Sequence, residues 1–171
     1  MDVAEAIRNR RSIRKFLDRE IPESAIEALI EAVRWAPSSG NLQARRFYFV
    51  QEQDLKDMLA VAAIGQMFIA SAPLVVVACA DLTRISHYGK RGRELYVIQD
   101  VAAAVENMML QACELGLGSV WVGAFNDEQV VKILEIPDYL RPMAIIPVGY
   151  PAHQPAALRR YGKDEIVRMV K

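Results

Sequence analysis

The chain has 171 residues, 53% hydrophobic and 25% charged, which is the length of one domain and a globular rather than disordered composition. Its 21 basic and 21 acidic residues cancel, excluding the basic excess of a dedicated nucleic-acid binder. No run of about eighteen apolar residues occurs, so no membrane span is expected.

Cys79 and Cys113 lie in apolar stretches without a CxxC and read as small buried hydrophobes in a reducing compartment. The N-terminus, MDVAEAIRNRRSIRKF, has basic residues but no apolar h-region, so no secretory signal is expected and the cytoplasm is the expected location. The apolar surplus over one small core points to an oligomer.

In chain order, residues 2–9 read as a short helix leading into a basic run. Residues 22–36 form a helix, with Pro22 in the first turn and Ile26, Leu29, Ile30 and Val33 at helical spacing. Pro37 stops it, and Ser38-Ser39-Gly40-Asn41 has loop chemistry. Phe47 to Val50 read as a strand and 52–62 as a helix. The β-branched apolar run from Pro73 to Ala80 is best explained as an interior strand.

A long helix is expected from Arg93 to Leu115. On a wheel of its residues 99–114, Gln99, Asp100, Glu106, Asn107, Gln111 and Glu114 fall within roughly 140°, leaving an apolar arc of about 220°. Such a helix is buried on more than one side, as a core element, against a partner subunit, or both. A strand at Ser119–Gly123, a helix near 127–135, a strand near 143–148 and a helical turn near 164–169 complete the chain. Helices and strands do not alternate regularly, so the expected class is an α+β sandwich, a sheet wrapped by helices, in one domain over 1–171.

Four features could carry chemistry. The run Arg8-Asn-Arg10-Arg11-Ser12-Ile-Arg14-Lys15 holds five basic residues with no acid between Glu5 and Asp18. It reads either as a solvated amphipathic segment or as an anion site, since guanidinium forks match phosphate oxygens and Ser12 adds a donor. Arg159-Arg160 is a second basic pair, which matters only if the tail returns to the same anion. The loop Pro37–Gln43 offers small polar groups suited to a heteroaromatic edge or a ribityl chain, or is simply a helix stop. In Leu117–Phe125, a GxGxxG fingerprint fails because Trp121 stands where its last glycine belongs, although Gly123 permits close approach of backbone to a flat ligand. His87 and His153 lack metal-ligand spacing, and no nucleophile motif is present. If the chain is an enzyme, a cofactor supplies the hard chemistry.

Taken together, Arg10–Phe16, Ala36–Gln43, Arg93–Asp100, Leu115–Phe125 and Pro147–Pro151, followed by a basic pair, resemble the nitroreductase family in order and spacing. The resemblance implies a homodimer with the long helix at the interface, an FMN at each end of that interface, and a central mixed, mostly antiparallel sheet. It implies that Arg10, Arg11, Ser12 and Arg14 grip the phosphate and reach the ribityl chain and pyrimidine edge. Pro37, Ser38, Ser39 and Asn41 would reach the flavin from the other subunit, and Gln66 would present its amide to the ring's polar edge. Val122, Gly123 and Ala124 would lie against the isoalloxazine, and Arg159 and Arg160 would close on the phosphate.

The activity implied is ping-pong hydride transfer from NAD(P)H to a nitroaromatic, quinone or similar acceptor, with Arg14 stabilising charge on the reduced ring and no metal or nucleophilic side chain. The alternatives are different flavin chemistry on the same scaffold, such as flavin fragmentation or dehalogenation, or a non-catalytic FMN-binding protein. Two departures stand out. The acidic residue of a Pro-x-Glu-Gly-Phe type segment is missing, and the only room for the family's extra helices is Arg84–Arg93.

Overall fold

The computed structural model describes residues 1–171. Helix α1 (Val3–Asn9) opens on a capping box: the Asp2 carboxylate accepts from the Glu5 N–H at 2.8 Å, and the Glu5 carboxylate accepts from the Asp2 N–H at 3.0 Å. Helix α2 (Glu23–Arg34) starts directly after Pro22 and ends before Pro37. Strand β1 (Arg45–Val50), helix α3 (Gln53–Ala62) and strand β2 (Leu74–Asp81) follow. The second half adds a short turn α4 (Gly89–Arg91), the long helix α5 (Val97–Glu114), β3 (Gly118–Ser119), α6 (Asp127–Ile133), β4 (Leu140–Gly149) and α7 (Lys163–Ile166).

The four strands form one sheet in the order β1-β2-β4-β3, and every ladder is antiparallel. The expected parallel component is confined to an isolated bridge between Ser12 and Ser119. All eight residues of β2 are buried, as an interior strand requires.

Alternation along that strand divides the core in two. Leu74, Val76, Ala78 and Ala80 face a cluster holding Leu29 and Val33 of α2 and Val101, Val105 and Met108 of α5. Val75, Val77 and Cys79 face the opposite cluster with Leu59 of α3 and Val130 of α6. The molecule is therefore a three-layer sandwich with α2 and α5 on one face of the sheet and α3 and α6 on the other. Burial in the second layer pushes the Cys79 thiol up to about 12, so it is inert as a nucleophile.

Several boundaries differ from expectation. Strand β4 runs from Leu140 rather than 143, because its ladder to β2 continues past a bulge between Ala78 and Cys79, where Met143 is left without a partner and Pro142 stands opposite Cys79. The strand expected at Ser119–Gly123 pairs only over Gly118–Ser119, and Val122 rejoins the sheet in an isolated bridge to Ile145. The long helix begins with a π-helical turn, Gly92–Tyr96, before regular α5. The fully buried residues of α5, among them Val97, Val101, Ala104, Val105, Met108 and Ala112, follow one helical face, while Ala102, Ala103 and Leu110 on its flanks stay half-buried. No helix is long and apolar enough to cross a membrane.

At the end of β2, Asp81 organises the turn at 84–88. One of its carboxylate oxygens accepts from the Thr83 N–H (3.0 Å), the Thr83 hydroxyl (2.6 Å) and the Arg84 N–H (2.9 Å). Burial would raise this carboxyl, but those donors and the Arg84 charge outweigh it and hold it below the ordinary value. A depressed folded value means that the stabilisation is complete above the unfolded value of about 3.9 and disappears as pH falls through the folded one. Asp81→Ala is expected to lose about 1–3 kcal/mol in urea unfolding at pH 7, with the deficit shrinking as pH drops below about 4. A deficit that stays constant through that range would contradict the assignment.

Candidate functional site

The basic run is held by backbone. After α1 ends, the chain extends so that the Ile13 N–H reaches the Ser119 carbonyl at 3.0 Å. Gly118 makes this approach possible, because a Cβ there would overlap the Ile13 side chain. With Ile13 buried, its neighbours Ser12 and Arg14 face outward. The tail then returns: Phe16 bridges to Pro151, and the Ala152 N–H donates to the Lys15 carbonyl at 2.9 Å.

The result is a cleft of about 510 Å³ between the two ends of the chain, lined by Arg8, Arg10, Arg11, Ser12, Arg14 and Arg160, with tail residues Pro155–Leu158 as the other wall. No acidic residue lines it. Among the five arginines only Arg10 has a carboxylate within ion-pair distance, Glu106 at 3.8 Å on an exposed side. Arg11 turns one guanidinium nitrogen onto the carbonyls of Arg8 and Arg10, and its Nε is buried without a partner. Arg159 does not line this cleft. It faces a separate hollow with Tyr161 and Glu165.

A second group of residues meets beside Arg14, whose guanidinium lies 5.9 Å from the Phe68 ring centroid. Close by in sequence, the Gln66 side-chain amide donates to the carbonyls of Ala63 (2.9 Å) and Ala124 (3.2 Å). That second bond ties Gln66 to the segment Val122-Gly123-Ala124. Val122 is buried and exchanges both backbone hydrogen bonds with Ile145 at 2.9 Å. Gly123 is exposed, and a Cβ on it would meet nothing nearer than the Trp121 indole nitrogen at 4.0 Å. The backbone there faces open space.

The third group stands apart. Ser39 donates its N–H and its hydroxyl to the same Asp100 oxygen, both at 2.9 Å, and the Ser38 hydroxyl accepts from the Gln43 N–H at 3.0 Å. Pro37 is fixed through its carbonyl, which accepts from Arg45 at 2.9 Å, and the same guanidinium reaches the Ala36 carbonyl at 2.6 Å. Asn41 stands at positive φ in a tight 3-10 turn. Partial burial lowers the Arg45 pKa, an effect the Asp100 charge opposes.

Asp100 is the residue that sequence reasoning misplaced. The wheel assigned it to the polar arc, yet it is 5% exposed and its second oxygen has no partner. Arg45 and Phe68 carry no local sequence signal, and the carboxylate of Asp100 in the first turn of α5 is the only pointer to this contact.

These groups sit at different points along α5. Asp100 holds the loop in the first turn, Glu106 approaches Arg10 in the middle, and Met109 and Cys113 border Arg10 and Arg11 toward the end. At 1.5 Å rise per residue, loop and arginines are about 10–20 Å apart along the axis. No residue of Pro37–Asn41 lines the arginine cleft.

The model of the nitroreductase family matches residues 7–81 and 62–150. The chain is 30% identical over 179 residues to the FMN reductase [NAD(P)H] of Bacillus subtilis, covering 96% of this chain and 72% of that protein. It is 30% identical over 195 residues to the NADH dehydrogenase of Thermus thermophilus, covering 98% and 95%. The solved structure of NADPH:FMN oxidoreductase from Vibrio harveyi complexed with NAD+ superposes with a TM-score of 0.90 at 26% identity, covering 99% of this chain and 77% of that one. The chain is an oxidoreductase by class. It belongs to the nitroreductase family.

Because Asp100 satisfies two donors of Ser39, Asp100→Ala is expected to cost about 1–3 kcal/mol in denaturant unfolding. Amide exchange should accelerate at 39–43 while β2 stays protected. Unchanged exchange in that loop would show that Asp100 does not hold it.

Proposed function

We propose that the arginine cleft binds the phosphate of FMN and that two copies of the chain enclose each flavin. The protein is then an FMN-dependent NAD(P)H oxidoreductase. The observation that carries this reading is a cleft with five guanidinium groups and no carboxylate in its lining, within a chain of zero net charge. Like charges gathered this closely are unfavourable unless a counter-charge shares the space, and a phosphate monoester supplies one with oxygens that match guanidinium forks. The volume is within the usual range for a small-molecule site. The donor set fits FMN: a buried unpartnered Nε on Arg11, the Ser12 hydroxyl for a phosphate or ribityl oxygen, and open space over Gly123 for a flat ring.

Bound FMN would supply the hydride-transfer chemistry between a reduced nicotinamide and an oxidised acceptor such as a nitroaromatic or quinone, in alternating half-reactions. The chain's own residues bind and orient. Arg10, Arg11, Ser12 and Arg160 hold the phosphate, with Arg159 free to join when the tail closes. Arg14, 5.9 Å from the Phe68 ring centroid, would place positive charge beside the ring and favour its reduced form. Gln66, whose amide nitrogen is engaged by the Ala63 and Ala124 carbonyls, would offer its amide oxygen to the ring's polar edge while fixing the Val122–Ala124 backbone.

The homodimer follows from what one copy leaves uncovered. Val3, Trp35 and Leu110 border a groove of about 300 Å³ between α1, α2 and α5, and Trp35 is 74% exposed. The tail residues Leu158, Tyr161, Ile166, Val167, Met169 and Val170 are also exposed. Apolar surface on this scale marks an interface. A two-fold axis crossing α5 sets the start of one helix beside the end of the other. The loop Pro37–Asn41 then comes to the partner's arginine cleft. The cytoplasm, where NAD(P)H is available, is the fitting location.

The purified protein with added FMN should be yellow and should bleach anaerobically with NADH or NADPH. Arg10→Ala combined with Arg14→Ala should weaken FMN binding by about 100-fold or more, since each charge-assisted bond contributes roughly 1.5–3 kcal/mol. Full retention of stoichiometric flavin by the double variant refutes the phosphate assignment.

A further inference from the structure

The segment between β2 and α5 is built around one tyrosine. Tyr88 packs edge-on against Tyr96 (5.4 Å between centroids) and against His87 (5.1 Å). It is wedged between two glycines. A Cβ on Gly92 would come within 2.7 Å of the Tyr88 Cβ and of the Ile85 carbonyl, and a Cβ on Gly40 would overlap the Tyr88 hydroxyl. Gly40, at positive φ, belongs to the loop that Asp100 holds. Arg84 adds a second tie, donating to the Gln43 carbonyl at 3.4 Å while pairing with Asp81 at 3.5 Å. The 84–96 segment and the 37–43 loop are therefore one body.

That body is strongly cationic. Residues 82–93 carry Arg84, Lys90, Arg91 and Arg93, with His87, and no acid. Arg84 is engaged with Asp81, and Lys90 has Glu94 at 3.8 Å in an exposed pair of little strength. Arg91 is oriented by its Nε, which donates to the Tyr96 hydroxyl at 3.0 Å, and its guanidinium lies 5.5 Å from the Tyr96 ring centroid. Neither Arg91 nor Arg93 has a carboxylate within 4.0 Å, and both are exposed. Arg91 closes α4, and Arg93 lies in the π-helical turn Gly92–Tyr96 that follows it.

We propose that Arg91 and Arg93 form a phosphate-reading patch for the nicotinamide dinucleotide that reduces the flavin. The proposal rests on the function argued above, in which the 37–41 loop of one copy borders the partner's flavin. The 84–96 segment must then overhang the mouth of that site. A dinucleotide whose nicotinamide reaches the ring leaves its phosphates outside, at the rim, and two unpaired guanidinium groups on a rigid rim suit those phosphates. The cleft arginines hold the cofactor's own phosphate, whereas this pair would hold the phosphates of the reactant that comes and goes.

The test compares wild type with the Arg91→Gln/Arg93→Gln double variant, both loaded with FMN and both checked for flavin content. KM for NADH, NADPH or both should rise about tenfold in the variant with kcat nearly unchanged. Kd for NADP+ or NAD+, measured by equilibrium titration, should rise in parallel. Added salt should raise KM in wild type more than in the variant. N-benzyl-1,4-dihydronicotinamide, a hydride donor without phosphates, should reduce both proteins equally well. A loss confined to NADPH assigns the 2′-phosphate, and a loss with both donors assigns the pyrophosphate. Unchanged KM and Kd for both dinucleotides, or an equal loss with the phosphate-free donor, overturns the proposal. A wild type bleached by the phosphate-free donor but by neither dinucleotide overturns it too, while leaving the FMN site standing. A flavin-loaded wild type reduced by dithionite but by none of the three donors sinks the oxidoreductase reading itself.

Discussion

Five guanidinium groups around one cleft repel each other, and the fold spends specific structure to keep them together. The first turn of α1 is capped twice, Gly118 gives up its side chain so that Ile13 can press against β3, and the tail returns past Lys15 to form the opposite wall. None of these features relieves the repulsion; each fixes backbone so that side chains cannot spread. An arrangement of this kind attracts anions to the cleft. The charge balance of the whole chain makes the local excess more telling, because the compensating acids lie elsewhere.

Helix α5 is the ruler against which the rest is measured. One face is sealed against β2 and β4, and the same helix anchors the serine loop through Asp100 and borders the arginines beyond Glu106. One copy of this helix holds the serine loop and the arginines too far apart to meet on one ligand. In the proposed dimer, pairing two such helices in opposite directions would bring loop and arginines together twice. The half-buried Ala102, Ala103 and Leu110 give that pairing apolar surface to cover.

Much of this was legible in the residues. The β-branched run Pro73–Ala80 was best explained as an interior strand, and the spacing of Leu29 and Val33 marked the buried face of α2. The basic run was visible as a candidate, a solvated segment or an anion site, because charge concentration is a local property of sequence. What stayed hidden depends on long-range contact. Asp100 looks polar on a wheel, and nothing local says that its carboxylate meets Ser39, 61 positions away. The bulge that leaves Met143 unpaired between the partners of Ala78 and Cys79 has no local signature, so the start of β4 at Leu140 was not legible. Arg159 and Arg160 are indistinguishable as neighbours in sequence, yet only Arg160 lines the arginine cleft. The wide apolar arc was readable, but one copy of the chain uses only part of it.

The central claim is that each flavin site draws residues from two copies of the chain, and mixing variants tests it most directly. One copy would carry Ser39→Arg, which blocks the loop, and the other Arg10→Ala with Arg14→Ala, which disables the cleft; each alone should form a dimer that fails to retain FMN. Co-expressed, and purified as the mixed dimer with two different tags, they should recover one bound FMN per dimer, because one site then combines an intact cleft with an intact loop. A mixed dimer as colourless as its parents would contradict assembly of the site across the interface.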